Sequence, residues 1–307
     1  MKVGIFYNSI SNPRKSPHKV ALMDNFRQGV LANGDEVIDY QGSETANQPL
    51  DAGFVLGYTL ADNLRKRIID SLKAQGASPV FVDSNILHYA RKEHEWHRYS
   101  LNSVYPNTGV YFFGELDKDK WQRYSDWHGV TLKPWRSGTN GQHILVLCQR
   151  PGGWNMLNVN QESWLINTID KIKALDYKRP IVIRMHPGDG SKHEQISKLV
   201  RQYGNRISIS NRENIASDLQ NCWCTVGVNS TPNVVAAIEG VPPYLEDPTL
   251  SWAADVSFGN LNDIMSPPML PREDWIHKIA NIHWSNEEVR SGQLWSAIRR
   301  YIAAARR

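Results

Sequence analysis

A polar turn follows the apolar run that ends at Gly227, and it consists of Asn229, Ser230 and Thr231 with Pro232 directly after them. Proline is favoured in the first turn of a helix, so this order predicts a strand, a polar turn and then a helix. The unpaired N–H groups at a helix start attract phosphate, and the neighbouring hydroxyls add donors. We predict a phosphate-binding turn here; helix capping by Ser230 or Thr231 is the alternative.

A second polar segment follows the apolar residues 181–183, which predict a strand, and contains Arg184 and His186. Ligands bind at the carboxyl ends of parallel strands. At that position arginine neutralises a phosphate and the imidazole donates to a nucleotide oxygen. We therefore predict both side chains to be ligand-binding residues.

A third segment follows the predicted strand 144–148 and contains Arg150, Gly152, Gly153 and Trp154. Glycine lets the backbone approach a phosphate closely, and the arginine supplies charge. The segment lacks the spacing of a dinucleotide fingerprint or of a P-loop, which excludes both motifs. An ordinary turn between strand and helix is the alternative.

A carboxylate, Glu239, lies in the last turn of the helix predicted after Pro232. It gains nothing from the negative end of the helix dipole, which favours a ligand hydroxyl, such as that of a ribose, as its partner. A solvent-exposed glutamate is the alternative. The first half of the chain offers Asp83 as a base at the end of the predicted strand 79–82, with capping of the segment from Ser84 onward as its alternative.

Further polar and aromatic residues of the first half are candidates for binding a second substrate. Glu95 and His97 are additional candidate bases in an aromatic segment. The predicted contacts are Asn8, Arg14, Lys15, Trp96, His97 and Arg98. The loop 8–19 would face phosphates in one interpretation and would be an ordinary solvated loop in the other.

The elements that must position these residues alternate as strand and helix in both halves, which predicts parallel sheets covered by helices. Strands are predicted at 3–7, 36–40, 54–57, 79–82, 109–113, 144–148, 180–184, 207–210, 225–228 and 243–246. Helices are predicted at 16–33, 60–74, 118–127, 161–175, 192–203 and 286–307. The segment 134–141, rich in turn residues, marks a boundary. We predict an α/β protein of two Rossmann-like, doubly wound parallel-sheet domains facing a cleft, residues 1–137 and 138–307, with a terminal helix able to cross back to the first domain.

Composition sets the remaining limits. The 307 residues carry a formal charge of +4, compatible with an anionic partner without requiring one. The three cysteines, all in apolar segments, are expected to be buried thiols, and no finger-like partner spacing predicts a metal. No run approaches the ~20 apolar residues of a membrane helix, and no signal peptide is recognised, so a cytoplasmic protein is expected.

The motifs of the second half resemble those of GT-B glycosyltransferases of the capsule-polysaccharide and sialyltransferase type. The shared features are His186-Pro187, Ser230-Thr231 and, as in related sugar epimerases, Glu239-Gly240-Val241-Pro242, over about residues 143–247. The resemblance implies that residues 138–307 bind a nucleotide sugar and that residues 1–137 bind the acceptor. It implies metal-independent, inverting transfer without a cofactor. UDP is the preferred nucleotide, although some members use CMP-activated sugars.

The first half resembles phage-encoded glycosyltransferases that modify hydroxymethylated pyrimidines, in its runs 97–102 and 105–109. This resemblance implies 5-hydroxymethylcytosine in phage DNA as the acceptor, exposed by base flipping, and an infected host cell as the location. Three alternatives stay open: a surface-polysaccharide glycosyltransferase, a non-catalytic nucleotide-sugar-binding module and a sugar-nucleotide epimerase.

Overall fold

The computed structural model describes residues 1–87, 93–136, 141–150, 156, 159–188 and 193–306. The chain forms two compact units. Unit 1 consists of Met1–His128 and His277–Arg307, and unit 2 consists of Gly129–Ile276.

Unit 1 contains a six-stranded sheet in the order β11-β5-β4-β3-β1-β2. Its strands are β1 (Lys2–Phe6), β2 (Glu36–Tyr40), β3 (Ala52–Leu56), β4 (Ser78–Asp83), β5 (Trp96–Leu101) and β11 (His283–Ser285). Its helices are α1 (Pro17–Ala32), α2 (Leu64–Ala74), α3 (Lys120–His128), α9 (Asn286–Arg290) and α10 (Gln293–Ala305). The first four strands are parallel, whereas β5 runs antiparallel to both β4 and β11.

Helix α1 shows how the sequence specifies the core of unit 1. Pro17 occupies its first turn, and Gly34 follows it in the left-handed region at φ 72°, which favours glycine after a helix end. Phe26 stacks on Phe54 of β3 with ring centroids 4.1 Å apart and meets Trp295 of α10 edge-on at 5.8 Å. Burying these aromatic rings fixes α1 between the sheet and the terminal helix.

The terminal segment differs from its prediction in two ways. The predicted second domain, 138–307, included it, but β11 pairs with β5 and α10 packs on α1, so the segment belongs to unit 1. The predicted single helix 286–307 is two helices, because the chain turns at Gly292 with φ 85°. Close packing accompanies this turn: a Cβ at Gly29 would lie 2.2 Å from the carbonyl oxygen of Val289.

Unit 2 contains a five-stranded, wholly parallel sheet in the order β10-β9-β6-β7-β8. Its strands are β6 (His143–Leu147), β7 (Ile181–Arg184), β8 (Ile207–Ile209), β9 (Cys222–Gly227) and β10 (Pro243–Leu245). Its helices are α4 (Gln161–Leu175), α5 (His193–Arg201), α6 (Ile215–Asp218) and α7 (Pro232–Ile238), and α8 (Glu273–Asn281) leads back to unit 1. The predicted α/β class with two Rossmann-like domains is confirmed.

The buried cysteines agree with their prediction. Cys148, Cys222 and Cys224 are free thiols inside unit 2, and burial raises the pKa of Cys222 to about 12. The predicted strand 109–113 is wrong, because only Val110 bridges Leu101 there. No helix in the described part of the chain is long and apolar enough to cross a membrane.

Candidate functional site

At the carboxyl ends of the unit 2 strands, two predicted site residues and one further polar residue lie in one row. Because all five strands are parallel, these ends share one edge of the sheet. Leu147 of β6 is in register with Arg184 of β7 and with Gly227 of β9. The second residues after those three positions, Gln149, His186 and Asn229, therefore follow adjacent strands at the same level.

Gln149 and Asn229 form a reciprocal pair in this row. The Gln149 side-chain amide donates to Asn229 Oδ1 at 2.7 Å, and the Asn229 backbone N–H donates to Gln149 Oε1 at 3.1 Å. Both residues are buried. The pair fixes the loop after β9 against the loop after β6, a role that the sequence did not reveal for Gln149 because strand neighbours and register are needed to see it.

His186 has a defined neutral tautomer. The Gly188 backbone N–H donates to its Nδ1 at 3.0 Å, so in the neutral ring the proton resides on Nε2. The Nε2–H group is then a hydrogen-bond donor for an acceptor such as a phosphate oxygen.

The Ser230 side chain is held within its turn. Asn233 donates to Ser230 Oγ at 3.0 Å and in turn accepts from Thr225 Oγ1 at 2.8 Å. Gly227 allows this packing, because a Cβ there would lie 2.8 Å from the Asn233 side-chain nitrogen. Thr231 precedes α7 without capping it through its side chain. The simple capping alternative therefore does not describe either hydroxyl.

The two predicted phosphate-binding arginines have different surroundings. Arg184 forms an ion pair with the buried carboxylate of Asp218 and donates to the carbonyl oxygens of Arg212 and Glu213. Arg150 is exposed after β6. The remaining predicted residues of that loop, Gly152, Gly153 and Trp154, lie outside the described residues.

Glu239 does not join the row. Helix α7 returns the chain from the carboxyl edge of the sheet to the start of β10, and its seven residues span ~10 Å. Glu239 follows α7 and forms an ion pair with Lys133. Glu246, directly after β10, is a carboxylate that does lie at the carboxyl edge, and it accepts from Trp164 Nε1 at 2.7 Å.

The start of α4 contributes a buried amide beside this edge. Gln161 is 4 % exposed, and neither its side-chain oxygen nor its side-chain nitrogen has a hydrogen-bond partner in the structure as described. Buried amides without partners destabilise a fold, so they point to a partner that arrives from outside. Sequence reasoning missed Gln161, because nothing in its sequence neighbourhood distinguishes it from an ordinary residue in the first turn of a helix.

In unit 1 the predicted base Asp83 lies at the end of β4 in an ion pair. Arg98 Nη2 lies 2.7 Å from Asp83 Oδ2, and the Ser84 backbone N–H donates to Asp83 Oδ1 at 2.7 Å. The Arg98 Nε group donates to the Ser84 carbonyl at 2.7 Å. Both carboxylate oxygens of Asp83 thus accept hydrogen bonds from groups of unit 1. The Arg98 guanidinium, predicted to contact the acceptor, is paired with Asp83.

The other two candidate bases line a cavity of about 400 Å³, here called the histidine cavity, with His18, Trp127 and Asn286. The Asn286 side-chain amide donates to Glu95 Oε2 at 3.2 Å. His97 is buried with no partner for Nδ1 among the described groups. Burial, followed by the nearby charge of His94, lowers the pKa of His97 to about 4. At neutral pH the His97 imidazole in this cavity is therefore uncharged, and Asn286 orients the Glu95 side chain.

The remaining residues that were predicted to contact the acceptor differ in their surroundings. Trp96 is buried edge-on against Tyr124 with ring centroids 5.3 Å apart, which favours a packing role over the predicted acceptor contact. The Asn8 side-chain amide donates to the Glu44 carbonyl oxygen at 2.8 Å and so holds the segment that follows β2. Arg14 and Lys15 are exposed, as a contact with phosphates requires.

The buried neutral state of His97 predicts acid sensitivity of unit 1. In the unfolded chain His97 takes up a proton near pH 6.5, whereas in the folded chain it does so only near pH 4. Stability is therefore lost as pH falls from 6.5 to 4, by up to about 3 kcal/mol for this group. Denaturant titrations of the native chain and of His97→Gln at several pH values measure the effect. The variant should show a shallower loss over this interval, and equal slopes would refute the assignment.

This chain is similar to known proteins in its fold alone. No protein-family profile matches the chain, and no curated protein matches it. Among solved structures, the β-Kdo 2,4-transferase of Thermosulfurimonas dismutans KpsC aligns with a TM-score of 0.57 at 12 % identity, over 91 % of this chain and 90 % of that one. The β-Kdo 2,7-transferase of the same protein aligns with a TM-score of 0.53 at 10 % identity, over 96 % of this chain and 100 % of that one. The chain thus has the α/β fold of these two transferases.

Proposed function

We propose that the chain is a glycosyltransferase that moves a sugar from a nucleotide-sugar donor to an acceptor hydroxyl. The observation that carries the proposal is the row of Gln149, His186 and Asn229 on three adjacent strands at the carboxyl edge of the unit 2 sheet. Ligands of doubly wound sheets bind at that edge. The shared fold with two Kdo transferases supports the same reading.

Unit 2 binds the donor in this proposal. His186 donates through Nε2 to a diphosphate or monophosphate oxygen, and Arg150 supplies positive charge from the neighbouring strand end. The Gln149–Asn229 pair holds the loop that carries Ser230 and Thr231. Arg184 forms an ion pair with Asp218, so in this proposal it positions this edge of the sheet and does not bind the donor phosphate.

Two residues outside the sequence motifs bind the nucleoside in this proposal. Glu246, at the end of β10, is the carboxylate in the right place to accept from ribose hydroxyls. Gln161 offers a donor and an acceptor side by side, which suits the edge of a nucleobase. UDP is the nucleotide preferred from the motifs and CMP is the alternative, and the panel of donors described below distinguishes them.

Unit 1 binds the acceptor and takes up its proton. The Glu95 carboxylate, oriented by Asn286, accepts the proton of the acceptor hydroxyl. The acceptor oxygen forms a bond to the anomeric carbon while the bond from that carbon to the phosphate oxygen breaks, and the nucleotide departs with the electron pair. A single displacement of this kind inverts the anomeric configuration, and side chains receive the leaving phosphate without a metal.

A glycan is the acceptor that we favour, because the two solved structures with this fold are named as transferases of a sugar, Kdo. The second candidate acceptor is DNA containing 5-hydroxymethylcytosine. It is favoured by the exposed cations Arg14 and Lys15 in the loop 8–19 that follows β1, which suit phosphate contacts. A non-catalytic nucleotide-sugar-binding module and an epimerase are the outcomes left if transfer fails.

The test begins with donor binding and continues with transfer. The chain is heated with a panel of UDP-, CMP-, GDP- and dTDP-sugars, and a protecting donor is then incubated with oligosaccharides, with hydroxymethylated DNA and with unmodified DNA. A mass increment on an oligosaccharide supports the favoured acceptor, and one confined to hydroxymethylated DNA supports the second. Protection without any increment leaves a binding module, and interconversion of the free donor leaves an epimerase. No protection by any donor contradicts the proposal.

Replacing His186 by alanine should weaken donor binding roughly 10- to 100-fold, because a hydrogen bond to a charged phosphate oxygen is lost. Calorimetric titration of the protecting donor measures the change. His18→Ala, which removes an exposed histidine of unit 1, is the matched control and should bind the donor as the native chain does. Equal donor affinity in His186→Ala would remove His186 from the donor site.

A further inference from the structure

Unit 1 contains a second cavity, of about 690 Å³, that the proposed function does not use. We call it the α3 cavity, and its walls include Phe112, Leu116, Asp117, Lys120, Arg123 and Glu288. Its lining shares no residue with that of the histidine cavity. Its volume lies in the range of ~300–1,000 Å³ typical of small-molecule sites.

Acidic and basic side chains of this cavity form ion pairs with one another. Lys120 Nζ lies 3.6 Å from Glu288 Oε1, and Arg123 Nη2 lies 3.8 Å from the same oxygen and 2.5 Å from Asp117 Oδ2. The charged lining residues comprise three cations and three anions: Lys120, Arg123, Arg300, Glu115, Asp117 and Glu288. Their charges cancel, so the cavity does not select a polyanion by its field.

The polar groups of the α3 cavity are held in place from behind. The Ser285 backbone N–H donates to Glu288 Oε2 at 2.8 Å in a capping box, which turns Oε1 toward Lys120. The Asn281 side chain accepts from the Asp117 N–H and donates to the Asp117 carbonyl, both at 2.9 Å. Fixed donors and acceptors lose little freedom when a ligand binds.

Lys120 is the most deeply placed of these charges. Its side chain is 3 % exposed, and its ammonium group lies 3.6 Å from the centroid of the Trp284 ring. Burial lowers the pKa of Lys120 to about 8. A buried cation on an aromatic ring beside a carboxylate is costly to desolvate, and a ligand hydroxyl that accepts from Lys120 would reduce this cost.

The mouth of the cavity adds exposed apolar surface. Phe112 is 38 % exposed and Leu116 is 39 % exposed. A sugar ring presents an apolar C–H face and a rim of hydroxyls, so it matches an aromatic side chain beside fixed, balanced charges. We propose that the α3 cavity is a carbohydrate-binding site for an uncharged oligosaccharide, separate from the proposed transfer site.

The full chain is titrated with uncharged hexasaccharides (malto-, cello-, manno- and chitohexaose) and with a dodecathymidylate as the competing class, by calorimetry and saturation-transfer NMR. Phe112→Ser and Arg123→Ala are compared with Tyr177→Ser, which removes an aromatic ring 71 % exposed in unit 2. Melting curves confirm that each variant is folded. We expect at least one hexasaccharide to bind, each cavity variant to weaken it by about fivefold or more, and Tyr177→Ser to bind like the native chain.

Three results would overturn the inference: no hexasaccharide binds, the oligonucleotide binds in the cavity instead, or the two cavity variants bind as the native chain does. Donor protection by nucleotide sugars is measured on the same samples. Loss of donor protection together with intact hexasaccharide binding removes the proposed function and leaves this inference standing. The reverse pattern removes the inference alone.

Discussion

Replacing Glu95 by glutamine should lower kcat for sugar transfer by about 10²- to 10⁴-fold, while the affinity for the donor stays unchanged. The amide keeps the size of the carboxylate and can keep its contact with Asn286, but it cannot take up the proton of the acceptor hydroxyl. Donor affinity is unaffected in the proposal because the donor binds to unit 2. Single-turnover transfer and calorimetric donor titration measure the two quantities separately.

The variant Asp83→Asn, measured beside Glu95→Gln, distinguishes the two candidate bases. Asp83 accepts from Arg98 and Ser84, so its replacement should disturb the Arg98 guanidinium and lower stability more than turnover. The buried Arg98 would lose its charged partner, which destabilises a fold. If Asp83→Asn abolishes transfer while Glu95→Gln remains active, the proton acceptor is Asp83 and our assignment of the base is wrong.

The sequence predicted the elements that have regular apolar patterns. Helix α1 shows apolar residues at helical spacing with a proline start and an Asn-Gly end, and the structure has it at Pro17–Ala32. The six residues of β5, Trp-His-Arg-Tyr-Ser-Leu, have no alternation because all six are buried. A polar strand between two sheet neighbours gives no periodic signal, and β11, with three residues, is too short to give one.

The candidate site shows the same division between local and non-local information. The residues after β6, β7 and β9 could be selected from sequence because each follows an apolar run. Their common level could not, since it depends on the register between strands far apart in the chain. Glu239 is the opposite case: a motif selected it, although the helix before it must carry the chain away from the ligand edge in a parallel β-α-β unit.

Arg184 connects the site to the stability of unit 2. Its guanidinium pairs with Asp218, whose side chain is 2 % exposed and also accepts from Ser210 Oγ at 2.6 Å. Arg184 is the last residue of β7, and His186 follows it by two positions. The pair therefore anchors the strand end from which the proposed phosphate-binding histidine extends.

Replacing Asp218 by alanine should lower the free energy of unfolding of unit 2 by about 3 kcal/mol, because the Arg184 cation is left mostly buried without its counter-charge. Chemical denaturation followed by tryptophan fluorescence measures the loss. Glu194→Ala breaks the exposed pair with Lys198, whose partners are 69 % and 81 % exposed, and should cost less than about 1 kcal/mol. Donor affinity should fall with Asp218→Ala even under conditions where the variant is folded, since the strand end that carries His186 loses its anchor. Equal stability of the two variants would mean that the Arg184–Asp218 pair neither stabilises unit 2 nor positions its ligand edge.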